Sequence, residues 1–169
     1  GLNTGGMGAI SPVPFADKTL MEKIKLKIIN PTLKGLKKEN IPYVGFIFFG
    51  LINVNGNPFV IEYNVRLGDP ETQVLMPRIK SDFLNILWSI DSKAEFEKIK
   101  LDIEDIYTST VILTSGGYPE KYEKGHSVSG INSVKDSIIF HAGLKLKTGK
   151  TITNGGRVLA VTSSSNTLQ

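Results

Sequence analysis

Ile61-Glu62-Tyr63-Asn64-Val65-Arg66-Leu67-Gly68-Asp69-Pro70-Glu71 decides how the rest of this sequence is read. Successive side chains of an extended strand point to opposite faces, so Glu62, Asn64 and Arg66 share one face while Ile61, Tyr63 and Val65 share the other. One face therefore carries a carboxylate, an amide carbonyl and a guanidinium in a row. Hard divalent cations such as Mg²⁺ take oxygen ligands, commonly one or two from the protein and the rest from phosphates and water. Glu62 and Asn64 supply two such oxygens. Arg66 offers a planar fork that can hold a phosphate oxygen and offset the charge that develops in phosphoryl transfer. The plainer alternative is a half-buried antiparallel strand with its polar residues on the wet face.

The neighbours of this strand favour the chemical reading. Residues 44–52 are apolar on both faces, so the polar row faces a walled cleft. Asn55-Gly56 is a strong hairpin signal, and residues 59–66 alternate behind it. In Gly68-Asp69-Pro70-Glu71, Asp69 has the position of an N-cap and Pro70 that of a first helical residue. A helix running from there towards Lys80 would present backbone N–H groups suited to an anion.

Upstream, Asp17 is a candidate N-cap before Leu20, Ile24 and Ile28 at helical spacing, and Pro31 predicts a kink or restart before Leu33 and Leu36. Downstream, Asp82 opens a second helix through Phe83, Leu84, Leu87 and Trp88, with Trp88 expected in the core. Residues 91–105 read as a surface helix leading into a linker, and the domain boundary falls near Asp105. Beyond it come short strands at 108–114, 138–141 and 157–162, with turns at Gly116-Gly117, Thr148-Gly149 and Asn154-Gly155-Gly156. The expected fold class is α+β: an antiparallel sheet with packed helices over residues 1–105, then a small, strand-rich and incomplete unit over residues 106–169. The absence of an initiator Met and the stop just after a strand-like run both suggest cuts through a larger protein.

Composition narrows the function. The 169 residues are 40% hydrophobic, enough for one good core and a second, smaller one. The most continuous apolar stretch is about half of the roughly 20 residues needed to cross a bilayer as a helix, so no membrane role is expected. With no cysteine, disulfides, thiolate metal sites and cysteine nucleophiles are excluded, which suits a cytoplasmic enzyme. A net charge of +4 and a pI near 9.2 come from scattered lysines, with three arginines and no basic run, and so do not indicate a nucleic-acid partner.

Three further features qualify as candidates. Asn3-Thr4-Gly5-Gly6-Met7-Gly8 is a glycine-rich segment whose backbone N–H groups can cradle phosphate or carboxylate, and it is not a Walker A loop because no Gly-Lys-Ser/Thr follows. Arg157, after Asn154-Gly155-Gly156, is an anion contact or part of an ordinary hairpin turn. His126 and His141 lack partners in sequence that would make a catalytic case.

Taken together, these segments form an ordered series. Residues 3–9 with Ser11-Pro12, then Gly45-Phe46, Gly50-Leu51 and residues 61–73, closely resemble the glycinamide ribonucleotide synthetase family of ATP-grasp ligases. So do Gly116-Gly117-Tyr118-Pro119, Phe140-His141-Ala142-Gly143 and residues 153–159. The resemblance implies the C-terminal half of an ATP-grasp fold and part of a C-terminal domain. It implies ATP-dependent joining of glycine to 5-phosphoribosylamine in purine biosynthesis, with ATP as substrate and Mg²⁺ or Mn²⁺ as the metal. By the same resemblance, Glu62 and Asn64 are metal ligands and Arg66 is catalytic. Thr4, Gly5, Gly6, Met7, Gly8, Asp69, Pro70 and Glu71 would shape the glycine and phosphoribosylamine pocket, and Ile52 would lie against adenine.

The family's N-terminal domain and its ATP-clamping lid have no counterpart in these residues, so no turnover is expected from this chain alone. Many ATP-grasp relatives carry a second metal carboxylate roughly where Gly50 stands, so the cation's shell is not complete from this strand. Two alternatives stay open: another ATP-grasp carboxylate-amine ligase of purine synthesis, and a non-catalytic polyanion-binding module suggested by the basic pI.

Overall fold

In the computed structural model, which describes residues 1–168, Asn55 and Gly56 both adopt left-handed backbone angles, φ 50° and 73°. Two consecutive left-handed residues match the right-handed twist of the strands on either side. They close the hairpin of β2 (Phe48–Val54) and β3 (Asn57–Asn64). The register places Phe48 opposite Asn64, Gly50 opposite Glu62, Leu51 opposite Val60 and Ile52 opposite Phe59. Ile61 is thus the extra residue of a β-bulge, and the faces of β3 exchange on passing it. One face carries Phe48, Gly50, Ile52, Phe59, Glu62 and Asn64; the other carries Phe49, Leu51, Val60 and Tyr63.

Helices approach the second of these faces. Asp17 caps α1 (Lys18–Ile24), accepting the Leu20 N–H at 2.7 Å. Of the kink or restart that the sequence suggested at Pro31, the restart does not occur. A π-helical turn, Lys25–Ile29, precedes the proline, and α2 (Asn30–Lys38) continues without interruption. The widened turn accommodates the proline ring, and the Thr32 hydroxyl donates to the Ile28 carbonyl at 2.8 Å. Thr32 also lies 3.4 Å from the Tyr63 hydroxyl, and Leu20 and Ile28 are buried.

Two compact units result, and their boundaries do not follow the order of the chain: residues 12–68 with 81–101 form one, and residues 1–11, 69–80 and 102–169 form the other. In the first, Asp82 caps α4 (Phe83–Trp88), and the Phe83 ring stacks on Phe46 with centroids 6.2 Å apart. Trp88 is not a core residue: it is 84% exposed. The helix is only six residues long, and five residues of rotation place Trp88 well away from the inward face set by Phe83. The predicted surface helix at 91–105 reduces to one short turn, α5 (Lys93–Phe96).

The second unit is built on an antiparallel four-stranded sheet of order β1-β4-β8-β5, from β1 (Gly8–Ser11), β4 (Tyr107–Thr114), β5 (Ile138–His141) and β8 (Arg157–Ser165). A separate hairpin pairs β6 (Leu144–Lys147) with β7 (Lys150–Thr153). α3 (Glu71–Leu75) is tied to this sheet by the Thr108 hydroxyl, which donates to the Val74 carbonyl at 2.6 Å. The buried Thr108, Thr110 and Thr162 have their hydroxyls satisfied: besides the Thr108 bond, Thr162 donates to Thr110 at 2.8 Å, and Thr110 donates to the Val161 carbonyl at 3.3 Å. Such bonding removes most of the cost of burying polar groups. Among the described residues no helix is long and apolar enough to cross a membrane.

Candidate functional site

The row read from the sequence forms a continuous hydrogen-bonded chain. Asn64 Nδ2 donates to Glu62 Oε1 at 2.9 Å, and Arg66 donates to Asn64 Oδ1 at 3.3 Å and to the Leu67 carbonyl at 2.9 Å. The arrangement follows from local structure. Glu62 and Asn64 alternate at the end of β3, and the chain leaves the ladder before Arg66, which lets the longer side chain turn back towards Asn64.

Gly50 stands directly across from Glu62, where an added Cβ would lie 2.8 Å from Glu62 Cγ. A glycine there gives the glutamate stem room to lie against β2. Ile52, two residues on, occupies the same face and is half exposed, so the predicted adenine contact shares a surface with the predicted metal ligands.

The donor set of this face fits a hard cation, since it offers a carboxylate and an amide carbonyl. The Asn64 amide turns its nitrogen to Glu62 and its oxygen to Arg66. Rotation about its terminal torsion, a broad and roughly two-fold one, would bring both oxygens to a single ion. Among the described residues no group of three or more His, Cys, Asp or Glu side chains is gathered for a metal.

The other predicted residues meet in the sheet unit. Arg157, at the start of β8, donates through one guanidinium nitrogen to the carbonyls of Gly6 at 3.0 Å and Asp69 at 3.3 Å, and through the other to the Asp69 carboxylate. Asp69 also accepts from Gln73 Nε2 at 3.1 Å. Asp69 is therefore not the N-cap that its place in the sequence suggested. Pro70 holds the cap position of α3 without a side-chain bond, and the Asp69 carboxylate is drawn to Arg157 and Gln73. The α-helical part is five residues long, and a 3-10 turn, Met76–Arg78, carries the helical run to within two residues of Lys80.

Within the glycine-rich segment, Thr4 is exposed and Gly8 already belongs to β1, opposite Val111. The Met7 carbonyl accepts the Ile112 N–H at 3.0 Å. Gly5, Gly6 and Gly8 are close-approach positions, a Cβ on Gly8 lying 2.9 Å from the Thr110 carbonyl oxygen. A Cβ on Gly5 would lie 2.7 Å from Arg157 Cζ, and one on Gly6 would overlap the buried Pro70 ring. Glu71 is half-buried as the first residue of α3.

One participant was not singled out from the sequence. Tyr118 accepts the Gly5 N–H on its hydroxyl at 2.9 Å, across 113 positions of chain. Its neighbours Gly116-Gly117 and Pro119 signal a turn, and nothing local announces so distant a partner.

These features can be set against known proteins. The profile of the phosphoribosylglycinamide synthetase ATP-grasp (A) domain matches residues 1–72, and that of the C domain of the same synthetase matches residues 108–169. This chain belongs to the phosphoribosylglycinamide synthetase family. Its similarity to a phosphoribosylamine–glycine ligase of Fusobacterium nucleatum is 50% identity over the whole chain and 40% of the relative. A bifunctional purine biosynthetic protein of Pichia angusta is 44% identical over all of this chain and 22% of its own length.

A crystal structure of the phosphoribosylamine–glycine ligase of Thermotoga maritima superposes with a TM-score of 0.81 at 36% identity, covering 99% of this chain and 41% of that one. An N5-carboxyaminoimidazole ribonucleotide synthetase from Thermus thermophilus shares the fold at a TM-score of 0.58 and 16% identity. The chain thus spans about two fifths of the length of the ligases that it matches. The α+β class expected from the sequence is the fold observed, and its two matched regions are those of an ATP-grasp synthetase.

Proposed function

We propose that this chain contributes part of the active site of an ATP-dependent ligase that joins glycine to 5-phosphoribosylamine, giving glycinamide ribonucleotide, ADP and phosphate in purine biosynthesis. The observation that carries this reading is the Glu62-Asn64-Arg66 chain on the open face of the hairpin, in a segment matching the family's ATP-grasp domain. In the first step an oxygen of the glycine carboxylate attacks the γ-phosphorus, an O–P bond forms, and ADP leaves. In the second the amine of phosphoribosylamine attacks the carbonyl of glycyl phosphate, a C–N bond forms, phosphate leaves and the amine loses a proton.

Glu62 and Asn64 would hold Mg²⁺ or Mn²⁺, which when bound lowers the repulsion between the two reacting anions. Arg66 would meet a phosphate oxygen as charge moves onto it. Ile52 would offer an apolar contact to adenine. Thr4, Gly5, Gly6, Met7 and Gly8, with Asp69, Pro70 and Glu71, would form the pocket for glycine and phosphoribosylamine. Arg157 would serve that pocket by fixing Gly6 and Asp69, since its guanidinium is already bonded to both.

The matched regions also support a division between the ATP-grasp and C-terminal modules near Asp105. The nucleotide-clamping lid and N-terminal domain of such a ligase would lie in the part of the relatives that this chain does not cover. We place the enzyme in the cytoplasm, with no nucleic-acid or membrane partner.

The test is a chimaera in which this chain replaces the matching segment of the Fusobacterium nucleatum ligase. ADP release should require glycine and phosphoribosylamine together and should be abolished by Glu62→Ala or Asn64→Ala with the fold intact, while the 169-residue chain alone should show no turnover. Turnover with bicarbonate in place of glycine, or full activity in either variant, would refute the assignment.

A further inference from the structure

The glycine-rich segment is fastened by side chains that lie more than a hundred positions away in sequence. Arg157 holds the Gly6 carbonyl, and Tyr118 holds the Gly5 N–H. Three glycines make this approach possible. Gly5 leaves space for the Arg157 guanidinium, Gly6 leaves space for Pro70, and a Cβ on Gly156 would overlap the Tyr118 ring. The Tyr118 ring is further steadied by Tyr122, in an edge-on contact with centroids 6.1 Å apart. A half-buried, packed ring thus delivers one hydroxyl to one exposed backbone amide. An exposed amide gains little stability from such a bond, because water would satisfy it as well. The bond does define the direction in which the peptide plane between Thr4 and Gly5 faces.

We propose that Tyr118 is a positioning residue for the substrate pocket: its hydroxyl fixes the peptide conformation of residues 4–6, and so sets the geometry with which that segment meets the phosphate or carboxylate of a substrate. The proposal rests on the reading of residues 4–8 as a substrate pocket. It adds a side chain from the C-terminal module as the element that shapes it, and it assigns Tyr118 no contact with the reacting atoms. It also accounts for the commitment of the Gly5 N–H to a protein acceptor, a cost to any cradle that would use all of its amides.

The experiment uses the 169-residue chain and ribose 5-phosphate as the probe. Tyr118→Phe removes the hydroxyl and keeps the ring against Gly156 and Tyr122. Amide hydrogen exchange at Gly5, read by NMR, should accelerate about five- to tenfold, the loss of one hydrogen bond. Affinity for ribose 5-phosphate should fall by a similar factor, with the melting temperature unchanged. Leu20→Ala, a core change in the other unit, should lower the melting temperature and leave both readouts at their native values.

Unchanged Gly5 exchange in Tyr118→Phe would overturn the fastening itself. Faster exchange with native affinity would overturn the positioning role. Failure of the unaltered chain to bind ribose 5-phosphate would instead overturn the pocket reading on which the role depends, and the exchange data would still decide whether the fastening exists.

Discussion

Gly50→Ala separates the geometry of β3, the strand proposed to hold the metal, from its stability. The built Cβ lies 2.8 Å from Glu62 Cγ, whereas Glu62 O and N lie at the ordinary distances of 3.5 and 3.7 Å. Carbon atoms prefer separations of about 3.5–4.0 Å, so the overlap amounts to roughly 0.7–1.2 Å and falls on the side chain alone. Backbone movement is not needed. Glu62 must rotate about χ1, at a cost of about 0.5–1.5 kcal/mol for a rotation near 30°, and the lever carries its carboxylate away from Asn64 by on the order of 1 Å.

A displacement of that size at a reacting centre costs up to about a hundredfold. In the chimaera, Gly50→Ala should therefore raise the Mg²⁺ concentration for half-maximal activity by about 10- to 100-fold. Stability should change by less than about 1 kcal/mol, because glycine within a strand is itself unfavourable and alanine recovers part of the loss. Activity measured against Mg²⁺ concentration, with thermal denaturation alongside, separates the two effects. Native Mg²⁺ dependence in Gly50→Ala would refute the claim that this glycine makes room for a ligand.

Other substitutions probe the fold. Gly35→Ala in α2 meets nothing within 4 Å and has no left-handed backbone angle, so it should stabilise the chain by about 0.5–1 kcal/mol in urea denaturation. Trp88→Ala should change stability by no more than about 0.5 kcal/mol in spite of the size of the deletion, because the ring is exposed; a loss above about 2 kcal/mol would restore it to a core. Arg157→Lys keeps the charge but loses the fork that serves Gly6 and Asp69 at once. It should cost about 1–3 kcal/mol in thermal unfolding.

What the sequence conveyed and what it concealed separate along physical lines. Features fixed by a few neighbouring residues were legible. Asn55-Gly56 encodes its own turn, Asp17 and Asp82 encode their caps, and the alternation of Glu62 and Asn64 survives because the bulge at Ile61 lies before them rather than between them. Features fixed by distant partners were not. Asp69 has the local pattern of an N-cap, but Arg157 competes for its carboxylate and prevails with a charge-assisted bond.

Trp88 was misplaced by hydrophobicity alone, since a six-residue helix has one inward face and Phe83 occupies it. β1 is four residues long and opens on a glycine, too little for a strand pattern, and it exists through pairing with β4. Pro31 signals a kink or a restart in sequence, and the restart is avoided because a π-turn, with Thr32 bonded to Ile28, carries the helix past it.

Whether the oxygens of Glu62 and Asn64 share one cation is decided by titrating Mn²⁺ with ADP into the ¹⁵N-labelled chain. Paramagnetic broadening should be strongest at the Asn64 side-chain amide and at the backbone of residues 62–64 and 48–50, and should vanish in Glu62→Ala. Broadening centred elsewhere, or undiminished in that variant, would contradict the account.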